Sequence, residues 1–339
     1  MRDIFWAHPD SIKLLNIFPI VLVMDSTYKT NKYRQPLFEI VGMTSTELTF
    51  AVAFAYMESE QTDSFCWVLE KLKELFVQKD LRPKVILTDR DLALMKAVEI
   101  VFPTTQNLLC RFHINKNVGM RCKQYVVKEM RETIDTLWEE VVWASDEVEY
   151  AQKLEQLEQA CFNCADFIDY VKDTWLIPHR HRFVGAWIDR VLHLGNTTTN
   201  RYVFYFIVII IFYIYYALIF LYISNIFIYC LYVFLYIVIN IFIYCYIILC
   251  INIMLYICYA FIFRVESAHW KLKQMLGNSL GDTVNCWEAM NNNLRIQIGN
   301  IRASFQKSFY EVEHAHVSPL YGNLRSFVSR AALRRIAQE

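Results

Sequence analysis

The sequence predicts an α/β fold in which a mixed sheet packs against helices. Short apolar runs rich in β-branched and aromatic residues alternate with segments whose apolar residues recur at helical spacing. Two of these runs lead directly to an aspartate, at Asp25 and at Asp89. The 34 basic and 34 acidic residues cancel, so the overall basic excess typical of nucleic-acid-binding proteins is absent. Contacts with a nucleic acid would therefore have to come from local patches.

The N-terminal part predicts three strands, each a short run of β-forming residues. The runs are residues 17–24, 36–42 and 49–57. The first is continuously apolar and ends at Asp25, which is typical of a buried strand. Thr62 and Asp63 could then cap a helix, because apolar residues follow at helical spacing as far as Phe76.

The next part of the chain predicts two more strands and two more helices. Residues 85–87 form a buried strand that leads to Asp89, and a helix follows from about Leu92 to Val101. Residues 107–110 form the last strand, and helical sequence comes after it. The resulting order, β-β-β-α-β-α-β-α, is that of the ribonuclease-H-like fold, which places carboxylates on adjacent central strands.

The remaining sequence divides into segments of different character. Residues 118–195 are charged and have apolar residues at helical spacing, which indicates an all-α insertion. Residues 265–276 and 283–313 are again amphipathic. The predicted organisation is a first core part at 1–117, a helical insertion at 118–201, an apolar segment at 202–264, closing core helices at 265–313 and a linker at 314–339.

The apolar segment differs in composition from the rest of the chain. Residues 202–263 contain no Lys, Arg, Asp, Glu, His, Pro or Gly. At about 20 residues per span, the segment could cross a membrane, so a membrane protein is one interpretation. Turn residues and interfacial aromatic belts are missing, however. We favour a non-native insert, a translated intron, because its residues fit T-rich codons and splice signals can be written at Arg201 and Arg264.

Paired carboxylates at strand ends are typical of phosphodiester chemistry. That chemistry uses two metal ions about 3.5–4 Å apart to stabilise the attacking and leaving oxygens. Mg²⁺ accepts carboxylate, water and phosphate oxygens as ligands. A single Asp after a strand is more often a turn or cap residue. The occurrence of both Asp25 and Asp89 in one β-β-β-α-β frame therefore favours a metal site.

Several motifs resemble those of the Mutator-like element (MULE) transposase domain. They are Phe5–Pro9, Asp25–Asn31, Thr88–Met95, Cys110–Ile114, Val265–Trp270 and Phe327–Leu333. The last one resembles the linker that leads to a SWIM zinc motif. The resemblance extends over the whole chain except residues 202–264. The same domain occurs in plant MULE transposases and in the related far-red-response transcription regulators.

The resemblance implies a DDE site formed by Asp25, Asp89 and Glu266, which would bind two Mg²⁺ or Mn²⁺ ions. The implied activity is cleavage of transposon ends and strand transfer to target DNA in the nucleus, for which a homo-oligomer is a candidate assembly. Glu288 is an alternative third acid, and Glu266 could instead stabilise a helix N-terminus. We expect inactivity while the apolar segment precedes Glu266. The alternatives are a domesticated DNA-binding transcription regulator and a membrane protein.

Basic residues and zinc-type ligands follow the last predicted strand. The predicted DNA contacts are Arg111, His113, Lys116, Arg121 and Lys123, although a solvated helix face explains them equally well. Cys110 and His113 have zinc-ligand spacing, but two ligands do not make a structural site. Cys161 and Cys164 are a second pair.

Two further groups in the predicted insertion could contact DNA. One is the basic cluster of residues 179–182, for which a solvated surface is an equal alternative. The other consists of Trp175 and Trp187, which could stack on a base but are better explained by core packing.

Overall fold

A six-stranded mixed sheet forms the centre of the fold in the computed structural model, and helices cover both of its faces. The structure describes residues 3–28, 30–78, 80–191 and 283–313, and also 316–318, 321, 324 and 328–336. The predicted α/β class with a mixed sheet is confirmed. The apolar segment 202–264 and Glu266 lie outside the described residues. None of the described helices has the length and apolar character needed to cross a membrane.

The strands of the sheet are numbered in chain order. They are β1 (Ile4–Trp6), β2 (Val21–Thr27), β3 (Leu37–Met43), β4 (Thr49–Tyr56), β5 (Val85–Thr88) and β6 (Gln106–Leu109). Their order across the sheet is β1-β4-β3-β2-β5-β6. The β2–β5 and β5–β6 pairs are parallel, and the other pairs are antiparallel.

The helices that alternate with these strands are α1 (Pro9–Ile17), α2 (Thr62–Glu74), α3 (Leu92–Val101) and α4 (Arg111–Tyr125). From β2 onwards, the order β-β-β-α-β-α-β-α is the predicted one. The predicted cap of α2 is wrong, because the helix starts after Gln61 and Gln61 makes no side-chain capping bond.

The predicted strand at residues 17–24 is misplaced. Ile17 is the last residue of α1, and the strand that follows runs from Val21 to Thr27. Two local signals explain the helix: Pro9 occupies its first turn, and His8 Nδ1 accepts a hydrogen bond from the Asp10 backbone N–H at 3.2 Å. Asp25 therefore lies within β2 and not just beyond its end.

The two faces of the sheet are covered by different parts of the chain. Helices α1, α2 and α3 bury one face through a large apolar cluster that includes Phe38, Phe65 and Val98. The other face carries Leu37, Phe54 and Tyr56, which pack against Cys286, Met290 and Leu294. These last three residues recur at four-residue spacing on α10 (Thr283–Tyr310). Helix α10 thus covers the second face over β3 and β4.

Residues 111–188 form an all-helical region with its own core. Its helices after α4 are α5 (Arg131–Trp143), α6 (Glu147–Ala160), α7 (Ala165–Val171), α8 (Ile177–His179) and α9 (Gly185–Ile188), and α11 (Arg330–Ile336) lies near the C-terminus. A π-helical turn, Lys172–Leu176, connects α7 to α8. The core contains Trp138, Phe167, Trp175 and Phe183.

Candidate active site

The register of the parallel pair β2–β5 brings Asp25 next to Asp89. Val21 pairs with Val85 and Val23 with Leu87, so continuing the pairing by two residues places Asp89 opposite Asp25. Adjacent strands lie about 4.8 Å apart. Asp89 follows β5 directly, and both carboxylates therefore lie at the carboxyl end of the central strands.

These side chains line a cleft of about 100 Å³ at this edge of the sheet. Its lining consists of Asp25, Ser26, Tyr28, Glu60, Phe65, Asp89, Asp91 and Leu94. Asp91 is held in place because it caps α3, accepting hydrogen bonds from the backbone N–H groups of Ala93 and Leu94 at 2.8 and 2.9 Å. The cleft thus contains four half-buried carboxyl groups.

The electrostatic environment disfavours charge on two of these acids, Asp89 and Glu60. Burial raises the pKa of Asp89, and Asp91 raises it further, whereas the nearby His113 lowers it. Burial also raises the pKa of Glu60, with contributions from Asp91 and Asp89, while a hydrogen bond with Ser26 lowers it. A group of carboxyls in this state is typical of a site that a cation completes.

A further acid, Glu39, lies directly beside Asp25 in the sheet. The two residues are cross-strand partners in the β2–β3 pair, so their side chains lie on the same face. Glu39 is only 1% exposed. Burial and the charge of Asp25 raise the pKa of Glu39 to about 8.

Neither Glu39 nor Glu60 was among the predicted site residues. Glu39 did carry a sequence signal, because it is the one charged residue in the apolar run Leu37–Met43. Glu60 carried none, because it lies in the loop between β4 and α2, outside any strand or helix pattern.

The predicted DNA-contacting residues of α4 fall into two groups. Arg111 is 1% exposed, and its Nε and Nη2 donate to the carbonyl oxygens of Phe183 and Val142 at 2.6 and 3.3 Å. This guanidinium lies inside the helical core, so the expectation that it contacts phosphate does not match its position. Lys116 and Lys123 are exposed.

The other two α4 residues have neighbours that restrict them. Arg121 is half-buried, and its guanidinium lies 4.9 Å from the ring centroid of Tyr170. His113 is also half-buried and lies close enough to Asp89 to lower its pKa. Of the predicted contacts, His113 is therefore the one nearest to the carboxylate cleft.

The two cysteine-containing pairs predicted from the sequence lie in different parts of the described structure. Cys110 is buried at the start of α4, whereas Cys161 and Cys164 lie near Cys122 in the helical core. The described residues contain no group of three or more His, Cys, Asp or Glu side chains arranged to hold a metal ion. Of the two candidates for the third acid, Glu266 lies outside the described residues, and Glu288 is exposed on α10.

The residues that could stack on DNA bases pack inside the protein. Trp175 is 2% exposed, and its Nε1 donates to the Tyr170 hydroxyl at 3.1 Å. Trp187 makes an edge-to-face contact with Tyr150, at 4.9 Å between ring centroids. Both tryptophans therefore pack against other side chains of the helical region, which is the alternative to base stacking.

The basic cluster of residues 179–182 lies where the helical region meets the sheet region. Arg182 Nη1 donates to Asn107 Oδ1 of β6 at 2.7 Å, and Arg182 Nη2 forms an ion pair with Glu99 of α3 at 2.7 Å. Arg180 packs over the ring of Trp187 at 5.3 Å. His181 is exposed.

Comparison with known proteins identifies the sheet region. The family model of the MULE transposase domain matches residues 21–117, which run from β2 into α4. Two Arabidopsis thaliana proteins, FAR1-RELATED SEQUENCE 5 and FAR-RED IMPAIRED RESPONSE 1, are each 24% identical over 59% of the chain. The chain spans 24% of the length of each of them.

A fungal protein is also similar over part of the chain. The PKS-NRPS hybrid synthetase cheA of Chaetomium globosum is 30% identical over 139 residues, which are 41% of this chain and 3% of that protein. Because the match covers so small a share of the fungal protein, it carries no information about the activity of this chain. The family match and the Arabidopsis similarity agree with each other, and residues 21–117 of this chain match the MULE transposase domain.

Proposed function

We propose that the cleft at the carboxyl end of β2 and β5 is the catalytic site of a DDE-type transposase, which cuts and joins DNA strands in the nucleus. The observation that carries the proposal is the parallel β2–β5 register, which places Asp25 beside Asp89 in one acidic cleft. The MULE match over the same residues supports it.

The topology supports a ribonuclease-H-like sheet. Leaving out β1, the strand order is β4-β3-β2-β5-β6, and only β3 is antiparallel to the other four strands. The strand and helix order predicted for that fold from the sequence is the same. In this arrangement the first and fourth of these strands are neighbours at the centre, which is where Asp25 and Asp89 lie.

The carboxylates fit a divalent metal through the chemistry of their donor set. Asp25 and Asp89 would bind Mg²⁺ or Mn²⁺, and Glu266 is the expected third ligand. When bound, such ions stabilise the attacking and leaving oxygens of a phosphoryl transfer. Among the residues described, His113 lies near Asp89 and limits the rise of its pKa, which keeps that carboxyl closer to its charged form. Zinc at Cys110 and His113 remains a weaker proposal, because no third ligand joins them in the described part of the chain.

A second candidate is a regulator that binds DNA without cutting it. It is favoured by the similarity to FAR1-RELATED SEQUENCE 5 and FAR-RED IMPAIRED RESPONSE 1, which extends over 59% of the chain. DNA would be the partner in both cases. For either function the exposed cations of α4, Lys116 and Lys123, would supply phosphate contacts.

The experiment that separates the two functions is a DNA cleavage and strand-transfer assay with Mg²⁺, with Mn²⁺ and with EDTA. The full chain and a variant without residues 202–264 are compared, each with Asp89→Asn and with the control Asp166→Asn, which changes an exposed Asp on α7. We expect metal-dependent cleavage from the shortened variant. Asp89→Asn should lower it by about 100-fold or more, since even outer-shell partners of metal ligands are worth about 10–100-fold.

The outcomes separate cleanly. Cleavage that survives Asp89→Asn, or that proceeds in EDTA, would overturn the catalytic assignment. DNA binding with no cleavage from either length of chain would favour the regulator.

A further inference from the structure

We propose that Arg90 is a phosphate-binding residue that holds the DNA backbone at the edge of the carboxylate cleft, with its guanidinium supported by the ring of Trp175. The inference rests on the proposed function in one respect, namely that DNA is the ligand. It does not require that the cleft be catalytic, because the same contact would serve a DNA-binding regulator.

The position of Arg90 is the first argument. It lies between Asp89 and Asp91, and both of these neighbours line the cleft. Its side chain is exposed. In the part of the chain that the structure describes, its guanidinium donates no hydrogen bond and forms no ion pair, although two acids adjoin it in sequence. The N–H donors of Arg90 are thus available to an external acceptor beside the cleft.

The second argument is that the guanidinium has a rigid support. Its central carbon lies 4.9 Å from the ring centroid of Trp175. Trp175 is buried and is oriented by its hydrogen bond to Tyr170, and it lies in the π-helical turn Lys172–Leu176. Stacking on a ring uses the face of the guanidinium and leaves its in-plane donors unused. Those donors match the oxygens of a phosphate, which Arg binds in a bidentate manner.

The third argument is the sign of the surrounding charge on the helical side. Burial lowers the pKa of His179, and the charges of Arg90, Arg182 and His181 lower it further. Arg90 therefore contributes to a positive potential that extends onto residues 179–182. The side chain of Arg182 is held by its ion pair with Glu99 and its hydrogen bond to Asn107. It therefore contributes to the potential from a fixed position.

The arrangement places a cation next to a group of acids that would otherwise repel a polyanion. A guanidinium at the rim of the cleft would offset part of that repulsion for a phosphate of the DNA backbone. An isolated surface arginine would not need the packed indole beneath it.

The test is DNA binding by the full chain in EDTA, where cleavage cannot occur, measured by fluorescence anisotropy of a labelled blunt duplex over a series of salt concentrations. Arg90→Ala should weaken binding about tenfold and reduce the slope of log affinity against log salt by about 0.9, as expected for one lost phosphate contact. Arg90→Lys should retain most of the slope because it keeps the charge. It should lose part of the affinity because it lacks the flat, bidentate group.

The chain offers a matched control in Arg82. Its guanidinium also lies over an aromatic ring, that of Phe76 at 5.9 Å, but it precedes β5, at the end of the strand opposite Asp89. Arg82→Ala should leave both the affinity and the salt slope unchanged. A general loss of positive charge or of aromatic stacking would affect both variants alike.

Failure of this inference is distinguishable from failure of the catalytic proposal. If Arg90→Ala binds DNA with wild-type affinity and slope, or if Arg82→Ala is equally affected, the inference is overturned whatever Asp89→Asn does to cleavage. If Arg90→Ala weakens binding while no form of the protein cleaves DNA, the phosphate contact stands and the catalytic proposal fails. If neither the full chain nor the variant without residues 202–264 binds the duplex, both proposals are overturned.

Discussion

The sheet region and the helical region handle buried charge in opposite ways. In the helical region, the buried guanidinium of Arg111 donates to two backbone carbonyls and lies 4.1 Å from the ring centroid of Trp143. Burial lowers the pKa of Arg111 only to about 10, so it stays charged at neutral pH. In the sheet region, burial and the charge of Asp25 raise the pKa of Glu39 to about 8.

This difference separates a buried charge that the fold satisfies from a group of acids whose charge the fold disfavours. The fold supplies backbone acceptors for Nε and Nη2 of Arg111, whereas at the cleft it brings like charges together and withdraws water from them. Such an arrangement costs stability, and it is typical of sites that a ligand completes. The predictions below test the contrast, starting with the largest expected effect.

The largest effect is expected from Arg111→Ala. The substitution leaves the carbonyls of Phe183 and Val142 without their donors inside the core, so the free energy of unfolding should fall by about 3 kcal/mol or more. Urea unfolding followed by tryptophan fluorescence measures it. Lys116→Ala, an exposed change on the same helix, should stay within about 0.5 kcal/mol of wild type. Equal effects of the two substitutions would show that the buried guanidinium is not structural.

Glu39→Gln is expected to stabilise the protein at high pH. Because the folded-state pKa of about 8 exceeds the ordinary value of 4.5, the folded chain keeps a proton that the unfolded chain releases. The stability contributed by this group is therefore complete below pH 4.5 and is lost as the pH rises to about 8. Gln has no such proton, so at pH 8 the variant should exceed wild type by on the order of 3 kcal/mol.

Thermal unfolding at pH 5 and pH 8 in EDTA, which keeps metals away from the cleft, measures this effect. Glu155→Gln, at an exposed position of α6, serves as the control and should not alter the pH dependence. The expectation fails if Glu39→Gln and wild type lose stability in parallel between the two pH values.

The smallest effect is expected from substitutions at two helix caps, one in each region. Asp146 caps α6 with hydrogen bonds from Val148 and Glu149 at 2.9 and 2.8 Å, which resemble those that Asp91 accepts at α3. Asp146→Ala should cost about 1 kcal/mol. Asp91→Ala should cost less, because removing its charge relieves the repulsion that raises the pKa of Asp89 and Glu60. Urea unfolding of both variants decides, and an equal or larger loss at Asp91 would contradict the proposed repulsion.

Local signals explain which elements could be predicted from the sequence. Helix α3 has the predicted bounds Leu92–Val101 because Asp91 caps it and Pro103 follows it closely. The apolar run at 17–24 predicts a single strand, although it includes the end of a helix, Pro19 and the start of a strand. Hydrophobicity alone does not distinguish these three parts. Strand β1 is only three residues long and has no pattern of its own.

The site, too, could be predicted only where its residues carry a local sequence signal. The juxtaposition of Asp25 and Asp89 followed from two strands, each leading to an aspartate, within one recognisable order of elements. Glu60 reaches the cleft from the loop between β4 and α2, and Arg111 donates to Phe183, which lies 72 residues further along the chain. Contacts between residues so far apart leave no mark in the local sequence.

The π-helical turn Lys172–Leu176 has a consequence for helical phase. Each residue advances an α-helix by about 100°, so a turn that holds one residue more than the α-helical repeat redirects everything after it. Trp175 faces the core from within this turn, and the segment that follows it carries Arg182 to Asn107 on the sheet. The direction of the Trp175 indole beneath Arg90 and the position of Arg182 beside β6 are therefore both set by this turn. A one-residue change in its length would displace both side chains.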